Sequence, residues 1–167
     1  PSNGIGWMPK ILLINGIPHL FCQEGKYACF YPVSKNKILG LPLRIGCEHV
    51  VSAASGDINT DGTDDIVLAV CSKLGKSESS WVYWGSDKGF NKKNRSSLPT
   101  TTGRDVAVAD LDGDGYADII LCQGRTEKMY TTESLVFRGW RDGFITEPLR
   151  FTTHDATTAL VARTCGD

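Results

Sequence analysis

The chain has no long hydrophobic run. Its longest aliphatic stretch, Ile11 to Ile14, falls far short of the roughly 20 residues that span a bilayer. No basic segment leads into an apolar stretch of roughly 7–15 residues, so no secretory leader is visible. The sequence opens at Pro1 without an initiator Met, which reads as a processed, trimmed or incomplete chain. Charge of either sign is not in excess: 18 basic residues face 19 acidic ones. Nothing in that balance calls for nucleic acid or an anionic membrane surface. No C-x-x-C pair occurs, which argues against a zinc site. The three histidines, His19, His49 and His154, show no H-x-x-x-H spacing. No G-x-S-x-G, P-loop or dinucleotide fingerprint appears. Glu48 and His49 are adjacent, and neighbours on a strand point to opposite faces, so they do not form an acid/base pair. No segment sustains helical periodicity. The expectation is a protein without catalytic activity.

What is present fits one globular domain: 41% hydrophobic and 22% charged residues in 167. Disordered chains combine low hydrophobicity with high net charge, and this chain has neither. Eighteen glycines and six cysteines stand out. An even cysteine number without metal spacing points to disulfides and an oxidising, extracellular compartment. Cys22 and Cys29 flank a turn at 23–26 and are candidates for a bridge across a hairpin. The alternative is that several cysteines are small buried hydrophobes; spacing does not reveal pairing.

The sequence repeats. Asp57-Ile58-Asn59-Thr60-Asp61-Gly62-Thr63-Asp64-Asp65 precedes the apolar run Ile66 to Val70. Fifty-three residues later, Asp110-Leu111-Asp112-Gly113-Asp114-Gly115-Tyr116-Ala117-Asp118 precedes Ile119 to Leu121. Downstream, Val82-Tyr83-Trp84-Gly85 ending in Gly89-Phe90 matches Val136-Phe137-Arg138-Gly139 ending in Gly143-Phe144. Asp167 falls where a third acidic loop would begin. The segment Gly6 to Leu13 resembles Gly115 to Leu121, with Lys10 in place of the final acid, so the first unit reads as one that has lost its loop. Tyr31 to Ile38 is a weak counterpart of Tyr83 to Phe90.

Each unit reads as β structure, with short Val/Ile-rich runs separated by Gly, Asn, Asp and Ser. Expected strands are Val50–Ala54, Ile66–Cys71, Trp81–Trp84 and a segment after Phe90. The next unit offers Val106–Ala109, Ile119–Cys122, Leu135–Phe137 and a segment after Phe144. Tandem four-stranded units of about 50 residues are the signature of a β-propeller. The expected architecture is an all-β partial propeller of about three four-stranded blades: a degenerate one over 1–49, two with acidic loops over 50–102 and 103–156, and the start of another over 157–167. Ile66 to Val70 should be buried on both faces. Three blades do not close a ring, so the remaining blades of a longer chain, or a second copy, are the expected partners.

Oxygen ligands at positions 1, 3 and 5 of a tight loop converge on one point, Gly at position 6 permits the turn, and position 7 offers a carbonyl. The candidate calcium ligands are therefore Asp57, Asn59, Asp61, Thr63 and Asp65 at one site and Asp110, Asp112, Asp114, Tyr116 and Asp118 at a second. Thr63 and Tyr116 would act through backbone oxygen. An EF-hand needs Glu at position 12 and flanking helices; Leu68 and Leu121 stand there, followed by strand-like sequence. Carboxylates about 5 Å apart repel by ~3 kcal/mol per pair at a dielectric near 20, and a cation reverses that sign. The competing reading is two solvated Asp-Gly turns.

At these residues the sequence resembles the FG-GAP/VCBS repeat family, which includes the calcium-loop blades of integrin α-subunit propellers. The likeness covers about residues 50 to 156 and, weakly, the rest. It implies a propeller with structural Ca²⁺ in a secreted or cell-surface protein of adhesion, recognition or carbohydrate association. Trp84, Arg138 and Trp140 are weaker candidates for contact with a protein or glycan ligand, as a lectin-like or accessory module would require. Asn94-Arg95-Ser96 is a glycosylation sequon in a polar stretch, which agrees with secretion.

Overall fold

The computed structural model describes residues 9–35, 37–71, 79–126 and 130–162. Fifteen strands and no helix occupy them, and the sheets are antiparallel throughout. The first sheet takes β1 (Lys10–Ile14), β2 (Ile17–Glu24), β3 (Tyr27–Ser34), the two-residue β4 (Lys37–Ile38) and β5 (Leu43–Gly46). Its order is β1-β2-β3, with β4 and β5 both paired to β3. The second is the meander β6 (Val50–Gly56), β7 (Asp65–Val70), β8 (Ser80–Tyr83), β9 (Arg95–Leu98). In the third, β10 (Gly103–Ala109), β11 (Asp118–Gln123) and β12 (Thr131–Phe137) are followed by a small hairpin, β13 (Gly139–Trp140) with β14 (Gly143–Phe144). The sheet then closes with β15 (Leu149–His154) against β12.

The sheets stack face to face. One core cluster joins Phe21, Ala28 and Phe30 of the first sheet to Val50, Ile66, Leu68 and Tyr83 of the second. Another joins Ala54, Val67, Val82 and Leu98 of the second to Val106, Ile119, Leu121 and Phe137 of the third. Alternate residues of β7 therefore enter different cores. All six are buried, as the near-continuous apolar run requires. The first strands of the three sheets lie side by side, β1 beside β6 and β6 beside β10. Their approach is close: a Cβ on Gly56 would sit 2.9 Å from Val108, and one on Gly103 2.7 Å from the Val70 carbonyl oxygen.

One sequence expectation needs correction. The segment containing Lys10 is not the counterpart of β7 and β11. It is the innermost strand β1, equivalent in place to β6 and β10. The first sheet thus has its own first hairpin, β1 with β2, and where the others carry acidic loops it has the two-residue turn Asn15-Gly16. Both turn residues have positive φ, 49° and 74°, the geometry of a tight hairpin turn for which Asn-Gly is favoured. Lys10 replaces no acid. Its Nζ donates to Asp105 Oδ1 at 2.9 Å, to Ser52 Oγ at 3.3 Å and to the Val106 carbonyl at 2.6 Å, joining all three sheets. Ser52 Oγ also donates to Asp105 at 2.5 Å, and the N–H of Ala159 to its other oxygen at 2.9 Å.

The hairpin bridge is not formed. Cys22 and Cys29 face each other in the β2–β3 register, yet both are free thiols, as is Cys122. Cys29, Cys47, Cys71 and Cys122 are buried, which favours the small-hydrophobe reading. Cys165, Asp167 as the start of a third loop, and Gly6 to Met8 lie outside the described residues. Among those described, no helix is long and apolar enough to cross a membrane.

Candidate functional site

The acidic loops join the first and second strands of two successive sheets, β6 to β7 and β10 to β11. With strands on both sides, an EF-hand is excluded. Asp at position 1 folds each loop over itself: Asp57 accepts from the N–H groups of Asp61 and Gly62 at 3.0 and 2.9 Å. Asp110 does the same for Gly113 and Gly115 at 2.8 and 2.9 Å. Gly62 and Gly115, at position 6, have φ of 86° and 90°, a conformation costly to residues bearing a Cβ. At position 4, Gly113 has φ 79°; its counterpart Thr60 holds φ 57° while its hydroxyl donates to Arg141 O at 3.1 Å.

Position 5 turns toward the loop's own backbone. Asp61 accepts from Thr63 N at 2.8 Å, and Asp114 from Tyr116 N at 2.9 Å. At position 3, Asn59 Nδ2 donates to Asp61 at 3.0 Å, and Asp112 accepts from Asp114 N at 3.3 Å. Carboxylate oxygens of Asp110, Asp112 and Asp118 all lie within 4.8 Å of one another. Asp114 is not in that group; its Oδ1 is engaged by Tyr116. The Tyr116 ring packs against Trp140, with centroids 6.4 Å apart.

The acid at position 9 does more than the sequence reading assigned to it. Asp65 and Asp118 are buried, and each spans three segments. Asp65 accepts from Ile58 N at 2.9 Å and Gly85 N at 2.8 Å. Asp118 accepts from Leu111 N at 2.9 Å and Gly139 N at 2.7 Å. Burial pushes the Asp65 carboxyl up to about 6, against the downward pull of the Gly85 and Ile58 N–H groups. Each carboxylate oxygen has a second lone pair, so these bonds leave capacity for a cation. The signal for this link was the recurrence of Gly85 and Gly139, whose role the sequence alone did not reveal. A Cβ at Gly85 would sit 2.4 Å from Asp64 O, and one at Gly139 2.7 Å from Ala117 O.

The weaker candidates separate. Trp84 is half-buried between the second and third sheets, with Nε1 donating to Ser96 Oγ at 3.0 Å and its ring stacked on Phe144 at 6.0 Å. In the repeat alignment its counterpart is the charged Arg138, a type of residue expected at an exposed position. Trp84 is instead covered because the third sheet lies over it, while Arg138 is on the open face of the last sheet. Arg138 and Trp140 are exposed, the latter at 60%. Asn94 is exposed at the entrance to β9.

Antiparallel four-stranded repeats, stacked through their faces and carrying Asp-rich loops between their first two strands, define a class of β-repeat modules. Residues 51–121, spanning both acidic loops, match the family model described as an FG-GAP-like repeat. Over this stretch the chain is similar to repeats of that family. No curated protein matches the chain at a significant level.

Proposed function

We propose that the chain is a calcium-stabilised segment of an extracellular β-propeller, acting in adhesion, recognition or surface assembly and not in catalysis. The observation that carries this reading is the convergence of Asp110, Asp112 and Asp118 oxygens within 4.8 Å on a loop whose pattern recurs one repeat earlier. An all-oxygen set on a tight loop suits a hard cation with flexible geometry, Ca²⁺ in preference to Mg²⁺. Asp57, Asn59, Asp61 and Asp65 would hold one ion and Asp110, Asp112, Asp114 and Asp118 the other, with Thr63 and Tyr116 adding carbonyls. The ions would neutralise the loops and hold each inner hairpin shut.

The open faces of the stack support the propeller. On the first sheet Ile11 and Leu13 are 66% and 57% exposed, on the side away from the second sheet. On the third, Leu149 and Phe151 are 48% and 52% exposed, again on the outer side. In a ring of blades such faces are covered by neighbours, here further blades of a longer chain or a second copy. The exposed Trp140, packed against Tyr116, with Arg138 also exposed nearby in sequence, favours a second reading, a lectin-like or accessory module of a carbohydrate-active enzyme. Glycan-array binding that depends on Trp140 would distinguish it.

Thermal melting in calcium and in chelator, with elemental analysis, tests the main reading. If affinity lies in the 0.1–1 mM range of extracellular modules, millimolar calcium adds about 0.4–1.4 kcal/mol per site. The expected result is a higher melting temperature in calcium and two bound ions per chain. No shift, together with no bound calcium, would overturn it.

A further inference from the structure

The first two sheets leave between them a cleft of about 520 Å³. It is bounded by the β2–β3 turn, the β5–β6 connection, β8 and the entrance to β9. Among the described residues its cations are Lys26, Lys92 and Arg95, with His49 beside them, and its carboxylate is Glu48. Lys26 and Glu48, both exposed, approach to 3.6 Å. Arg95 is held differently. Its guanidinium carbon lies 3.5 Å from the Trp81 ring centroid and 5.6 Å from that of Tyr83, and Nη1 donates to Tyr83 Oη at 2.9 Å. Among the described residues, neither Arg95 nor Lys92 has a carboxylate within ion-pair distance. A guanidinium held against the Trp81 ring and bonded to the Tyr83 hydroxyl is ordered before any ligand arrives and keeps most of its N–H donors for one.

The next seam provides an internal comparison. The second and third sheets leave a cleft of about 480 Å³ there. Leu135 takes the place of Trp81: each is the partner of the equivalent residue in the neighbouring strand, Leu121 and Leu68. Threonines line much of it, and its arginine, Arg150, is bonded to Glu133 at 3.0 Å. An uncompensated cationic lining is therefore not a general result of packing two such sheets.

We propose that the cleft between the first two sheets binds a saccharide bearing an oxyanion, a carboxylate or a sulfate. Arg95 and Lys92 contact the anion. Tyr27, 48% exposed, supplies an amphipathic ring at the rim, lying against Gly46, where no side chain covers it. The volume falls in the range of small-molecule sites. The cleft is compact and bounded by turns, unlike the strand edges and extended grooves that take peptides. The site rests on the packing of two sheets and stands whether or not the loops hold calcium.

Calorimetric titration of the intact chain tests this, with a sulfated heparin-derived disaccharide, its desulfated form and a short polyglutamate peptide as probes. The sulfated disaccharide should bind, weakening about tenfold in Arg95→Gln and several-fold in Lys92→Gln, since each removes a charge-assisted contact. Arg150→Gln should leave binding unchanged. Lys92 is exposed, so its replacement tests the site without disturbing the Trp81–Tyr83 packing that Arg95→Gln loosens. Absence of binding, equal binding of the desulfated sugar, tighter binding of the peptide, or unchanged binding in both cleft variants overturns the proposal. Binding that persists in chelator supports it. Binding lost in chelator while circular dichroism shows an intact fold would move the site to the acidic loops and overturn it.

Discussion

Asp118 accepts a hydrogen bond from the backbone N–H of Gly139 at 2.7 Å, and the relationship repeats in the preceding sheet, where Asp65 accepts from Gly85 at 2.8 Å. The last acid of each loop thus ties it to the end of the third strand, and the glycine allows the approach. This ties a ligand residue to the sheet whether or not a cation is bound. It also divides the acids of the second loop into two kinds: exposed Asp110, Asp112 and Asp114, bonded within the loop, and buried Asp118, which the fold needs.

That division predicts different outcomes for two substitutions in the same loop. In chelator, Asp112→Ala should change stability by no more than about 0.5 kcal/mol, because Asp112 is exposed. Asp118→Ala should cost about 2–4 kcal/mol, leaving the N–H groups of Leu111 and Gly139 without an acceptor. Both should abolish calcium binding at the second loop and spare the first. Urea denaturation and calcium titration of each variant check this, and equal stability of the two in chelator would sink it.

Gly139→Ala should destabilise the chain by about 1–3 kcal/mol through overpacking, since its Cβ would lie 2.7 Å from the Ala117 carbonyl oxygen and from Tyr116 Cβ. Gly89→Ala is the contrast. Its φ is 78° but nothing lies within 4 Å of the added carbon, so only backbone strain of about 1 kcal/mol is expected. Melting temperatures of the two variants measure the difference.

Asp105 sets an acid limit on stability. Burial opposes its charge, but Ser52, the Ala159 N–H and Lys10 together hold its carboxyl below the ordinary aspartate value. A depressed folded value means that the stabilisation is present above the unfolded value and is lost as pH falls through the folded one. Lys10→Met removes one partner and leaves burial in place, so the loss should begin at higher pH. At neutral pH the variant should be weaker by about 1–3 kcal/mol, moderated by the partial exposure of Lys10. Denaturation midpoints between roughly pH 6 and pH 3 test the shift; an unchanged profile would exclude the link.

Cys29 should resist alkylation in the native protein. It is fully buried, and burial together with the neighbouring Glu24 pushes its thiol up to about 11, so little thiolate exists at neutral pH. Iodoacetamide followed by peptide mapping should label it only after unfolding, and Cys22 and Cys29 should both appear as thiols. A Cys22–Cys29 disulfide in the purified protein would contradict the free-thiol pair.

The second and third sheets were legible because their patterns repeat. Ile66 to Val70 is apolar at every position, and only a strand covered on both faces needs that. The acidic loops were legible from the alternate Asp/Asn positions and the position-6 glycines, whose left-handed φ matches. The first sheet was misread because apolar similarity does not distinguish one strand of a repeat from the next. Lys10-Ile11-Leu12-Leu13 resembles the strand after a loop, yet lies where the strand before it belongs. Trp84 was misplaced for a related reason. Its counterpart Arg138 faces outward at the end of the stack, and an alignment does not show which copy has a neighbour.

Local pattern specified the strands, the turns that need positive φ and the clustering of carboxylates, since each depends on residues close along the chain. Only packing of the sheets decided that Lys10 meets Asp105, 95 positions away, that Asp118 is tied to Gly139, and that Arg95 stands beside the Trp81 and Tyr83 rings. Those contacts depend on which faces meet and in what register, and side chains distant in sequence acquire that relation only when the sheets are stacked.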